Sequence, residues 1–205
     1  EKISEYTISI TSPLPPLPEG VIELSYDDDS FEGEFNAGGN NYSAVKFTTD
    51  SEIKYLYMIK WYQVGSMGTF FIKIFNDNND FPGEEIFSTV QASGNNVGWN
   101  QKVLASNSIP ISDDFWIGVK EFSSTQPFGL DTTNISGFSF QREGENGEWI
   151  SIEGNLAFRA YLSSEPLGIT SAEIPLRFGI RDIFPNPFNP IVNIHYNISQ
   201  FGPIE

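Results

Sequence analysis

The chain contains no cysteine among its 205 residues. That excludes disulfides, thiolate nucleophiles and every sulfur-ligated metal centre. Histidine occurs once, at His195, so an imidazole-rich transition-metal site cannot be assembled either. Basic side chains are scarce: 11 Lys and Arg stand against 27 Asp and Glu, a net charge of −16. So acidic a surface repels phosphate backbones, which argues against nucleic acid as a partner, and it disfavours anionic membranes. No apolar run is long enough to span a bilayer. Gly-x-Ser-x-Gly, phosphate-loop and His-x-x-His spacings are also missing. No signal peptide is visible, and the opening Glu1-Lys2-Ile3 reads as the interior of a longer protein.

What the chain has in quantity is aromatic side chains, 18 Phe, 8 Tyr and 4 Trp, each a large area to bury. They fall in short alternating runs. The organising stretch is 53–75, where Ile53, Tyr55, Tyr57, Ile59 and Trp61 recur at period 2. After a Gly-containing turn the pattern resumes with Phe70, Ile72 and Ile74 on one face and Phe71, Lys73 and Phe75 on the other. This predicts a hairpin too apolar to be stable unless other strands cover it.

Further strand-like runs lie at 21–26, 31–36, 42–48, 84–91, 99–104, 115–122, 138–141, 149–152 and 155–162. Gly- and Asn-rich turns separate them, with Asn146-Gly147 between 138–141 and 149–152 marking a tight hairpin. Helical periodicity is almost absent. The pattern predicts an all-β, antiparallel two-sheet β-sandwich, jelly-roll-like, over residues 21–163. Its expected core is Tyr57, Ile59, Trp61, Phe70, Ile72, Ile74, Phe115, Ile117, Val119, Leu156 and Phe158 in one cluster. Residues 1–20 hold a short strand (Tyr6, Ile8, Ile10) and a stiff spacer with four prolines between Pro13 and Pro18. Residues 164–182 read as a linker, and 183–205 as the start of a further β unit.

Carboxylates and amides crowd two turns. Asp27, Asp28, Asp29 with Glu34, and Asp77, Asn79 and Asp80 in the turn that follows Phe75, supply the hard oxygen ligands that calcium requires. Solvated acidic turns have the same pattern. Paired carboxylates also serve glycoside hydrolysis, but these cluster where turn formation explains them. His195 lies opposite the apolar positions of its run, away from any nucleophile-base arrangement. For sugar stacking, strand parity and loop position nominate Tyr62, Phe71, Phe128 and Trp149; core aromatics would look the same.

Two resemblances follow from longer strings. Tyr26-Asp27-Asp28-Asp29-Ser30, Tyr42-Ser43-Ala44-Val45-Lys46-Phe47, Pro82-Gly83, Gly98-Trp99-Asn100, Phe115-Trp116-Ile117-Gly118-Val119 and Gly154-Asn155-Leu156-Ala157-Phe158 occur in that order. The series resembles the accessory jelly-roll modules of large secreted bacterial proteins, which often sit beside a catalytic domain, commonly a peptidase. Phe184-Pro185-Asn186-Pro187-Phe188-Asn189-Pro190, followed by alternating Val192, Ile194, Tyr196 and Ile198, resembles the opening of the type A C-terminal sorting domain of the type IX secretion system. That family folds as an immunoglobulin-like β-sandwich; this chain stops at Glu205, before the later strands. Together the resemblances imply a secreted or cell-surface protein. They imply a non-catalytic accessory module with the other domains of the parent protein as partners, and the candidate stacking aromatics add polysaccharide or cell-surface glycan as an expected ligand. A structural spacer or adhesion module is the rival expectation.

Overall fold

The computed structural model describes residues 17–50, 52–53, 55–65, 68–91, 97–104, 108–122 and 127–167, with the backbone of 179–184 and 193–197. Among these residues there is no α-helix, and strands pair into two large antiparallel sheets and a separate two-stranded one. The first sheet is built on β4 (Tyr55–Gln63), which lies between β14 (Phe158–Ser163) and the pair β7 (Gly98–Val103) and β8 (Ile109–Pro110). Outside β14 lies β1 (Ile22–Leu24). Beyond the end of β4, β10 (Phe128–Asp131) pairs with β2 (Gly33–Phe35) and β13 (Asn155–Leu156).

The second sheet runs β12 (Trp149–Ser151), β11 (Ser139–Arg142), β3 (Tyr42–Thr48), β9 (Asp114–Glu121), β5 (Phe70–Asp77), β6 (Pro82–Gln91). The two sheets form a jelly-roll-like sandwich, as the alternation predicts.

The cause is visible in parity. Val45 and Phe47 of β3, Phe115, Ile117 and Val119 of β9, and Phe70, Ile72 and Ile74 of β5 all turn inward. They meet Leu56, Ile59 and Trp61 of β4 and Phe158, Ala160 and Leu162 of β14 in one buried cluster. Ten of the eleven expected core residues belong to it. Tyr57 does not: it is half-buried, because register slips between Tyr161 and Leu162 of β14 and leaves Tyr57 as an extra residue in β4. The bulge reverses parity, so Leu56 takes the inward place before it and Ile59 after it.

The hairpin expected over 53–75 is not one. β4 and β5 belong to different sheets, so the chain crosses the sandwich between Gln63 and Phe70. Each strand carries an apolar face that fills the same core, and they meet face to face rather than edge to edge. The hairpin partner of β5 is β6. Their turn is closed by Asn78 N–H to Phe81 O at 2.8 Å and Phe81 N–H to Asn78 O at 3.3 Å. Asn79 (φ 54°) and Asp80 (φ 64°) fill it in the left-handed region, which Asn and Asp tolerate better than other side chains. The Asn146-Gly147 hairpin is present, β11 pairing with β12.

Two strands escaped the sequence reading. β8 is two residues long and contains Pro110, while β10 interrupts its alternation with Gly129. Past the sandwich, β15 (Gly179–Phe184) pairs with β16 (Asn193–Asn197), so strand begins within the stretch read as linker. Phe184 stands opposite Asn193. Pro185, Asn186, Pro187, Phe188, Asn189 and Pro190 lie outside the described residues, as do the expected strand in 1–10 and the spacer up to Pro16.

Candidate functional site

Gly129 organises the outer face of the first sheet. A β-carbon there would lie 3.0 Å from the Phe31 ring and 3.1 Å from the Tyr62 ring, so its absence lets both rings settle on the backbone. Their centroids are 4.3 Å apart. Trp99, on β7 directly opposite Tyr62, joins them at 5.5 Å from Tyr62 and 5.8 Å from Phe31. All three rings are half-buried, an apolar platform with one side open.

Beside it stands the acidic turn. Arg159 of β14 reaches into the Asp27, Asp28 and Asp29 turn as the internal cation of Asp27 and Asp29. Its Nη2 donates to Asp27 and, at 2.6 Å, to Asp29, Nε donates to Asp27 at 3.2 Å, and Nη1 donates to Glu23 at 2.9 Å. The guanidinium also lies over the Trp99 ring, 4.2 Å from its centroid, within cation–π range. Burial opposes its charge, but the Asp27 hydrogen bond and the surrounding carboxylates outweigh it, and the Arg159 pKa rises. Burial and the neighbouring Glu23 likewise push the Tyr161 phenol up, and that phenol donates to Glu23. Asp28 points elsewhere, accepting from Ser30 N–H at 3.0 Å.

Between platform and turn an open depression of about 460 Å³ is lined by Asp29, Phe31, Glu32, Gly33, Glu34, Tyr62 and Val64. Glu32 is held as carboxylate below its usual range by hydrogen bonds from the Ser30 hydroxyl and Thr132 N–H. Glu34 stands opposite Gly129 in the β2–β10 register, so its side chain rises on the face the two rings occupy.

The other expected cation cluster lies on the outer face of the second sheet. Asp77 and Asp80 converge with Asp114 of β9, within 4.8 Å of one another, while the Asn79 amide turns to Asn78 at 3.1 Å. An ammonium already sits among the three: Lys46 Nζ is 2.6 Å from Asp80, 2.9 Å from Asp114 and 3.4 Å from Asp77. Three N–H donors meet three carboxylates. Burial disfavours the Lys46 charge, yet Asp80 and Asp114 raise its pKa overall. Trp116 Nε1 donates to Asp77 at 2.8 Å and Thr48 Oγ1 to Asp114 at 2.7 Å. Calcium, at about 2.3–2.6 Å from its oxygens, would overlap the ammonium. The three carboxylates do not fit the ion while Lys46 stays. At the other turn, Arg159 engages Asp27 and Asp29 in the same manner.

Of the aromatics nominated for stacking, Tyr62 lies in the platform. Phe128 is a correction: it is fully buried, edge-on to Phe70 at 5.7 Å and Phe158 at 4.9 Å, because β10 turns it inward. Phe71 is half-buried, 6.3 Å from the Phe122 ring. Trp149 is half-buried above a second apolar cluster of Ala44, Phe75 and Trp116, with the Arg142 guanidinium 4.8 Å from its ring. The sequence reading missed Phe31, Trp99, Arg159 and Lys46. Trp99 had a local signal in its alternation with Gln101 and Val103; Arg159 and Lys46 had none.

No family model matches this chain, and no curated protein does. Two solved structures of the cysteine protease Cwp84 share its fold. One is the clostridial protease after propeptide cleavage, with TM-score 0.55 and 11% identity over 74% of this chain and 42% of that one. The other comprises the cysteine protease and lectin-like domains of Cwp84, a surface layer associated protein of Clostridium difficile. It has TM-score 0.51 and 12% identity over 74% of this chain and 37% of that one. The chain thus spans about two fifths of the length of these structures. Identity this low establishes the sandwich alone.

Proposed function

We propose that residues 21–163 are a non-catalytic accessory module of a secreted or cell-surface bacterial protein that binds glycan on the outer face of the first sheet. The observation that carries this reading is the Phe31 and Tyr62 platform over Gly129, open to a depression rimmed by carboxylates. Sugar rings present an apolar face to aromatics and hydroxyl edges to carboxylates, and the depression offers both within one surface. A lectin-like domain in a surface-layer protein of related fold supports the same assignment. So do the accessory-module strings and the Phe184 to Pro190 sorting-type string, which make the other domains of a parent protein its covalent partners. The non-catalytic reading is supported by how two acid clusters are used: Arg159 engages Asp27 and Asp29, and Lys46 engages Asp77, Asp80 and Asp114.

The test is calorimetric titration of the full chain with a panel of soluble oligosaccharides, repeated for Tyr62→Ala and Phe31→Ala. Binding weakened about tenfold or more in both variants, about 1.4 kcal/mol, is expected. Failure to bind every glycan would leave a spacer or adhesion module as the better reading. Release of reducing sugar during incubation would instead mark a glycoside hydrolase.

A further inference from the structure

On the outer face of the first sheet the protein holds a cation of its own in a particular way. Arg159 lies over the Trp99 ring, and carboxylates from Glu23, Asp27 and Asp29 pair with it. Trp99 touches Tyr62, and beyond it the same combination of aromatic faces and carboxylates recurs at Phe31, Tyr62, Glu32 and Glu34. Here the internal cation is missing: no Lys or Arg lines the depression among the described residues. The Glu34 carboxylate has neither a hydrogen-bond nor an ion-pair partner among them. The chain's net charge of −16 adds a long-range field of the same sign.

We infer that the depression selects glycans bearing a free amine, that is, amino sugars in their ammonium form, over neutral and anionic ones. This inference rests on the glycan-binding reading and names its ligand class. The sugar ring stacks on Phe31 and Tyr62 while its ammonium sits against Glu34, with Glu32 at the rim. Aromatic stacking and the ion pair then act on neighbouring parts of one sugar residue, in parallel with their joint action on Arg159. Uronic, sialylated and sulfated glycans meet carboxylates with no cation to receive them and are repelled. An open platform set flush on Gly129 suits a flat ring better than the narrow slot that a lysine side chain requires.

The experiment titrates the full chain with a glucosamine tetramer and with the fully N-acetylated tetramer of the same linkage. Both run at mildly acidic pH, at low and high salt, with a lysine-rich peptide in parallel. Expected are affinity about tenfold higher for the amine, about 1.4 kcal/mol, and shrinkage of that preference at high salt. Glu34→Gln should erase the preference while the N-acetylated tetramer still binds, whereas Tyr62→Ala should weaken both. Equal affinity for the two tetramers overturns the inference and leaves the glycan reading standing. Binding of the peptide with neither tetramer overturns both.

Discussion

Trp61 and Phe70 meet edge to face, with ring centroids 5.6 Å apart and planes at 88°, though they sit on opposite sheets. Nine residues apart in the chain, they fix where β4 hands over to β5 and seal one end of the core. Truncation at this level removes apolar contacts that the surroundings cannot restore. Ile72→Ala and Phe158→Ala should each lower the unfolding free energy by about 2–5 kcal/mol. Tyr57→Ala, at the bulge and outside the buried cluster, should cost clearly less. Urea denaturation ranks the three, and a Tyr57 effect as large as that of Ile72 would contradict the bulge.

At Lys46, the ammonium holds three carboxylates together where a divalent ion would otherwise compete. Wild-type melting should therefore be the same in millimolar calcium and in chelator. Lys46→Ala should be destabilised in chelator, on the order of 3 kcal/mol, because three carboxylates lose their counter-charge. Calcium should then restore part of the loss by mass action. A calcium shift in wild type that Asp77→Asn abolishes would show that the ion displaces Lys46.

Arg159→Ala tests the other internal cation. Asp27 has a fully buried side chain, so removing its partner strands a charge, at about 3–5 kcal/mol. Asp27→Asn in the same background should recover part of that cost, since the stranded charge disappears. A double variant no more stable than Arg159→Ala would locate the loss in the stacking on Trp99 instead.

The strands were legible where one face is buried and the alternation strict, as in β3, β5, β9 and β14. Tyr57's bulge was not, since both parities around it are apolar: Leu56 and Met58 on one, Tyr57 and Ile59 on the other. The crossing from β4 to β5 was hidden for a similar reason, because two apolar strands joined by a short Gly-containing segment satisfy a hairpin pattern equally well. At the site, local sequence named the acids but not what neutralises them. Arg159 is 132 residues from Asp27, and Lys46 is 34 from Asp80; only the fold brings them together. Phe31 and Tyr62 became a platform through Gly129, a residue with no side chain to carry a signal.

Glu121 supplies the last test. It lies fully buried at the C-terminal end of β9, where its carboxylate accepts from Ala37 N–H at 2.7 Å and Gly38 N–H at 3.2 Å. Its backbone pairs with Asn40 and Asn41. Burial pushes its pKa up to about 7, against those two hydrogen bonds. The folded state therefore binds a proton more tightly than the unfolded chain, whose glutamates titrate near 4.3. The stability this contributes is complete below the unfolded value and is lost as pH rises through about 7. Opposite in sign, Glu145 is held down to about 2, chiefly by its Lys120 hydrogen bond. Its contribution is present at neutral pH and fades in strong acid. Wild-type unfolding free energy should thus peak in mild acid and fall toward neutrality, by up to about 3 kcal/mol from Glu121. Glu121→Gln should flatten the fall between pH 5 and 7 while leaving the acid limb intact. Urea unfolding across that range decides it, and an unchanged slope in the variant would mean that Glu121 stays ionised through burial.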